Sequence, residues 1–215
     1  MRHPLRIMRF AGVAAMIAIY ALLVHYVNAS GQASALGAGL ALAPLLLIGF
    51  ALLVRTESRT VGVVLLTTII TLAWWNWPLL KQHTGLIFWL QDISLLLALL
   101  VTFARTLSTG RKPLCVSFAE AIHGEDLPPE HKYYAKQVTV AWVIFFALMV
   151  LTSTLLFFST PLVVWSFFVN FLTLPLVALM FIVEYFARHH VLPDAPRAHI
   201  LAAVKAYRNM SGVKH

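Results

Sequence analysis

Leu86–Leu100 reads LIFWLQDISLLLALL, fifteen residues with a single ionisable side chain, Asp92. About 20 residues this apolar, rising 1.5 Å each, cross roughly 30 Å of hydrocarbon. Extended to 85–104, the stretch therefore predicts a membrane-spanning helix with Asp92 about two turns inside it. Inserting an aspartate mid-span costs about 2.5–3.5 kcal/mol on insertion scales, so such a residue faces protein or a water-filled cavity. Three roles stay open for it: a proton carrier, a ligand contact, or a polar peg between helices. Gln91 beside it aligns with Ser94, Ala98 and Thr102 on a small, polar stripe. His25, Asn28, Asn76 and Asn170 fall at similar predicted depth, in the outer half of the membrane. With Asp92 and Gln91 they form a candidate intramembrane polar site, able to line an outward-facing cavity.

The rest of the chain repeats the pattern of that stretch. Its 215 residues are 60% hydrophobic and 11% charged, with a mean hydropathy of +0.84. A soluble domain carries roughly 25% charged residues, so the expected class is an all-α polytopic membrane protein. Hydropathy predicts about six spans, near 10–28, 35–54, 60–80, 85–104, 138–158 and 162–187. The implied division is membrane helices over 1–104, a cytoplasmic loop over 105–137, membrane helices over 138–187 and a basic tail over 188–215. Fifteen of the 16 Lys and Arg residues then fall on one side, with Lys81 alone on the other. Cytoplasmic loops carry such an excess, so both termini are expected in the cytoplasm. The net charge of +8 is thereby explained by topology and by contact with anionic lipids, and nucleic acid is not an expected partner. Trp74, Trp75, Trp77, Trp89 and Trp165 fall toward the predicted outer interface and Trp142 toward the inner one, as an aromatic belt would. The first span has a basic start and the small-residue segment VNASGQA after it, and is read as an uncleaved span. One cysteine, Cys115, excludes a disulfide within the chain.

Local patterns add detail. Ala35, Gly39 and Ala43 recur at four-residue spacing in span two, with Ala14 and Ala18 in span one. Small residues let helices approach closely in lipid, which predicts a tight hairpin of spans one and two. In the loop, Pro113 suits a helix start, Leu114, Phe118 and Ile122 recur at helical spacing, and Gly124 is a natural stop. LPPE (127–130) restarts a helix that runs through Tyr133 and Lys136 into span five, with Glu130 complementing its positive end. In the tail, Ile200, Ala203, Val204, Tyr207 and Met210 share one helical arc while Arg197, Lys205 and Arg208 share another, as in an interfacial helix.

Motifs for chemistry are sparse. Glu184 and Arg188 stand four apart, the spacing of a helical ion pair. His189 and Asp194 have the His-x4-Asp spacing of glycerolipid acyltransferases, in which aspartate orients a histidine base, but the chain lacks the soluble α/β domain those enzymes carry. Glu120 and His123 form one Glu-x-x-His, where a di-iron bundle needs two and further glutamates. Cys115 follows Arg111 and Lys112, whose charge is expected to lower its pKa. Phosphate loops, nucleophile elbows and zinc spacings are missing, so no cofactor, metal or catalytic residue is expected.

FARTLSTGRKPLCVSFA (103–119), LPPEHKYYAKQVTVAW (127–142) and MFIVEYFARHHVLPD (180–194) resemble a family of uncharacterised multi-pass inner-membrane proteins of Gram-negative bacteria. Its genes lie in clusters for aryl-polyene or xanthomonadin-like pigments, beside acyl carrier proteins, ketosynthases and acyltransferases. The resemblance covers roughly residues 103–194 and implies the bacterial inner membrane as location. It implies a non-enzymatic membrane component of an acyl or aryl-polyene lipid pathway, anchoring acyl-carrier-dependent enzymes. Acyl carrier proteins are acidic, so a basic cytoplasmic face made by Arg111, Lys112, Lys205 and Arg208 is the candidate docking surface. The alternatives are a transporter or flippase-like protein using Asp92 and Gln91, and a small membrane acyltransferase using His189 or His123.

Overall fold

A computed structural model describes residues 3–30, 35–55, 59–123 and 127–192. The described residues are helical and contain no strand. In chain order the helices are α1 (His3–Ser30), α2 (Ala35–Arg55), α3 (Arg59–Trp75), α4 (Trp77–Gln82), α5 (Thr84–Thr106), α6 (Leu114–His123), α7 (Pro129–Ser159), α8 (Leu162–Phe167) and α9 (Thr173–Val191). A π-helical turn, Phe168–Leu172, joins α8 to α9 without a break. Four helical stretches are long and apolar enough to cross a membrane: Ala11–Ser30, Thr84–Thr106, Pro129–Ser159 and Leu162–Val191. Shorter apolar stretches lie at Ala35–Ala51 and Thr60–Trp75. Large apolar side chains cover the outside, among them Leu47, Ile144, Leu155 and Phe181. Water would penalise that surface; hydrocarbon does not.

Several boundaries move from their expected places for local reasons. The helix expected over 60–80 ends at Trp75, because the Asn76 side chain turns back onto the Leu72 carbonyl (3.0 Å) and Pro78 lies in the first turn of the short α4. The helical stretch expected over 162–187 runs on to Val191. Its π turn ends where the Thr173 amide reaches back to the Phe168 carbonyl. Pro175, two residues later, has no N–H to continue the regular ladder, a known cause of such irregularity. The loop helix starts at Leu114 and α7 runs unbroken from Pro129, as the prolines and periodicity require.

The described residues fall into two compact units, one within Met1–Ile93 and Ser153–Leu174 and the other within Ser94–Thr152 and Pro175–His215. In the first unit, α1 packs on α8 and the π turn, and α2 on α3. Its core is Val24, Ala41, Phe88 and Trp165, with Tyr20, Leu40, Trp89 and Phe157 around it. The small-residue face of α2 is not the expected one. Gly37, Ala38 and Ala41 are buried, whereas Ala35, Gly39, Ala14 and Ala18 are exposed. The spacing rule holds, but the register slips by two residues, because Tyr20 and Val24 rather than Ala14 and Ala18 carry the α1 contact. A close helix approach lies instead in the α2–α3 hairpin, where a Cβ on Gly62 would fall on the Leu53 backbone.

Pro44 lies inside α2. A mid-helix proline frees the carbonyl four residues back, and a freed carbonyl in lipid must find another donor. Leu40 is that residue, and the Tyr20 hydroxyl of α1 donates to its carbonyl at 3.2 Å. Gln91 of α5 donates through Nε2 to the next carbonyl, Ala41, at 2.6 Å. Gln91 is thus engaged at the proline kink.

Candidate functional site

In the first unit the polar residues singled out in the sequence, Gln91 at Pro44 apart, separate into three groups. Asp92 Oδ2 accepts the Ser153 hydroxyl at 2.6 Å, and Ser153 Oγ accepts the Trp165 indole N–H at 3.0 Å. Ser153 and Trp165 are fully buried, so the partly buried Asp92 is held by a relay from α7 and α8. His25, Asn28 and Asn170 converge on Ser166 instead. Asn28 and Asn170 donate to Ser166 Oγ at 3.3 and 3.2 Å, and His25 Nδ1 stands 3.2 Å from it. A hydroxyl offers two acceptor positions and one proton, so one Ser166 side chain can serve all three neighbours. The third group is Asn76 alone, on its own helix. Residues 25, 28 and 170 therefore share one node, 92 belongs to another, and 91 serves the kink. Ser153, Ser166 and Trp165 were missed as organisers. A serine in a span more often bonds its own preceding turn, as Ser159 does to Leu155, and sequence does not separate the two cases.

The second unit holds the larger feature, built around α6. Thr106 Oγ1 accepts the Leu114 amide at 3.0 Å, and Thr139 Oγ1 accepts the Cys115 amide at 3.2 Å. These side chains satisfy amides that a helix start leaves unpaired and fasten α6 to α5 and α7. Gly110, at φ +81°, closes the turn in which the Arg111 amide reaches the Ser108 carbonyl; this is a conformation that glycine tolerates without strain.

One face of α6, formed by Cys115, Phe118, Ala119 and Ile122, lines a groove completed by α7 and α9. The groove measures about 210 Å³, is open on one side and is overwhelmingly apolar. Trp142 and Phe181 meet within it at 4.8 Å between ring centroids. Its polar groups are few. Tyr134 donates to the Glu184 carbonyl at 3.2 Å, and Arg188 Nε lies 3.7 Å from the Glu184 carboxylate. His131 also lines the groove, with its Nδ1 buried and without a hydrogen-bond partner.

The neighbouring face of α6, Val116 and Glu120 beside Pro113, lines a shallow basic hollow with Arg111, Lys112, Lys132 and Lys136. Glu120 accepts from Lys112 at 2.9 Å and lies 3.7 Å from Lys132. The Lys112 hydrogen bond, with the two lysine charges, holds the Glu120 carboxyl below its usual range. Four cations thus surround one carboxylate. Arg111 and Lys112 were selected from sequence. Lys132 and Lys136 join them because they lie four apart on one face of α7. Lys205 and Arg208 lie outside the described residues, as does the amphipathic tail.

The thiol does not follow its neighbours' charge. Burial pushes the Cys115 thiol up, the Thr139 hydroxyl opposes this, and the Glu184 charge adds to the rise. Arg111 and Lys112 turn toward the hollow, so the expected lowering is replaced by the opposite shift, and Cys115 is a poor nucleophile. Among the described residues there is no group of three metal-ligating side chains. Glu120 is engaged with lysines, and Asp194 lies outside the described residues. No family profile, curated protein or solved structure matches the chain.

Proposed function

We propose that the chain is a six-span protein of the bacterial inner membrane, with both termini cytoplasmic, that docks acidic acyl carrier proteins and their enzymes in an acyl or aryl-polyene lipid pathway. The observation that carries this reading is α6, a single helix with a basic hollow on one side and an apolar groove on the other. A carrier protein with an acyl cargo has the complementary pair of properties, an acidic surface and an apolar chain. The α2–α3 hairpin supplies the two shorter spans, and Arg55 and Arg59 at its turn suit the cytoplasmic side. In this reading the protein is not an enzyme, and Asp92 is a packing peg engaged by Ser153 and Trp165.

The test is a binding titration of a purified acyl carrier protein on the full chain in nanodiscs. Each surface cation near an anionic partner is worth about 1 kcal/mol. Arg111→Glu with Lys136→Glu should therefore weaken binding at least about tenfold at low salt, and added salt should shrink the difference. Lys81→Glu should change nothing. Unaltered binding in the double variant would sink the proposal.

A further inference from the structure

The groove has chemistry of its own beyond serving as one wall of a docking platform. Along its length Phe118, Ile122, Leu127, Val138 and Phe181 present only hydrocarbon. With about 210 Å³ and one open side, it has the form of a slot that seats part of a single alkyl chain and leaves the rest along the open side, short of the roughly 300–1,000 Å³ of pockets that enclose drug-sized molecules. Its donors are placed for an anionic end. Arg188 contacts Glu184 through Nε, and its side chain stays 37% exposed, so guanidinium N–H groups remain for a ligand. The unpartnered His131 Nδ1 also lines the groove. A guanidinium suits a carboxylate better than a neutral hydroxyl.

The geometry points to a binding site for a long-chain fatty acid, with its chain between α6, α7 and α9 and its carboxylate at Arg188. This rests on the reading above for the apolar chain, held here as a free acid rather than as the carrier's thioester, and it is testable with no carrier protein present. A failure of carrier docking therefore leaves it standing, and its own failure leaves docking standing.

The experiment is photolabelling of the full chain, in phosphatidylcholine nanodiscs, with a photoreactive palmitic acid, followed by peptide mapping. Adducts should concentrate on buried groove residues such as Leu127 and Trp142, and palmitate should compete about tenfold better than hexadecanol. Ala119→Trp, which fills the groove, should cut labelling about tenfold with helicity and melting unchanged. If that variant melts early, Ala119→Leu takes its place with a smaller loss in the same direction. Arg188→Gln should erase the preference for palmitate over hexadecanol. The proposal is overturned by adducts spread over lipid-facing residues such as Leu47 and Ile144, or by labelling that ignores residue 119. Competition by phosphatidylglycerol as strong as that by palmitate overturns it too, since the groove would then be a slot for bilayer lipid.

Discussion

Trp165→Ala should destabilise the protein by about 2–4 kcal/mol, while Asp92→Asn should cost less than about 1 kcal/mol. Truncating a buried tryptophan in a soluble core costs about 3–5 kcal/mol. In lipid the transfer part shrinks, since the surroundings of the unpacked helix are already apolar. The cavity and the lost partner remain. Trp165 is fully buried among Val24, Ala41 and Phe88, stands edge-on to Phe157, and donates to Ser153. Removing it takes packing from four helices and a donor from the relay together. Asparagine at position 92 still offers an oxygen to the Ser153 hydroxyl, so the relay survives. Denaturant titration in mixed micelles measures both variants. A larger loss from Asp92→Asn would show that the charge, rather than the indole, holds this unit together. Loss of pathway output in a well-folded Asp92→Asn protein would favour transport over docking.

Thr139→Val should open the site from the other end. Thr139 is fully buried, donates to the Ala135 carbonyl at 3.0 Å and accepts the Cys115 amide at 3.2 Å. Valine keeps the shape and removes the acceptor, leaving a buried amide without a partner at a cost of about 1–3 kcal/mol. The least costly relief is for the start of α6 to lift off α7. Cys115 is the chain's one cysteine, so thiol labelling reads that motion without background. Burial keeps the wild-type thiol above its ordinary range, so it should label slowly. In the valine variant labelling should speed up by about 10- to 100-fold, with its pH midpoint moving down toward the ordinary thiol value. Thr139→Ser should behave as wild type, and equal rates in all three proteins would contradict the anchoring role.

The parts of this molecule that sequence exposes are those governed by short-range rules. Helical spacing and proline placement locate α6 and the start of α7, because Pro113 and Pro129 act within one turn. Hydropathy identifies the apolar helices because burial in lipid is a property of the whole segment. The organising hydrogen bonds stay hidden because their partners are far apart in the chain. Gln91 is engaged by a carbonyl at Ala41, beside the Pro44 kink, 50 residues away. Trp165 has the composition of a membrane-interface residue and the position of a core residue, since aromatic type alone does not say which side it faces. Trp142 is likewise buried, within a cluster with Phe145, Phe146 and Phe181. Trp74 and Trp75 are the exposed pair. The basic hollow was diluted in sequence, where the 105–137 loop sums to about +1. Folding gathers four of its five cations around one carboxylate.

In the proposed reading, α6 joins a surface for an acidic carrier to a groove for its acyl chain. The most direct measurement titrates one acyl carrier protein, unloaded and then palmitoyl-loaded, onto the full chain in nanodiscs. Loading should tighten binding at least about tenfold, Ala119→Trp should abolish this gain, and Arg111→Glu with Lys136→Glu should weaken both forms alike. Equal binding of the two forms to the wild-type protein, or a gain from loading that persists with the groove filled, would contradict it.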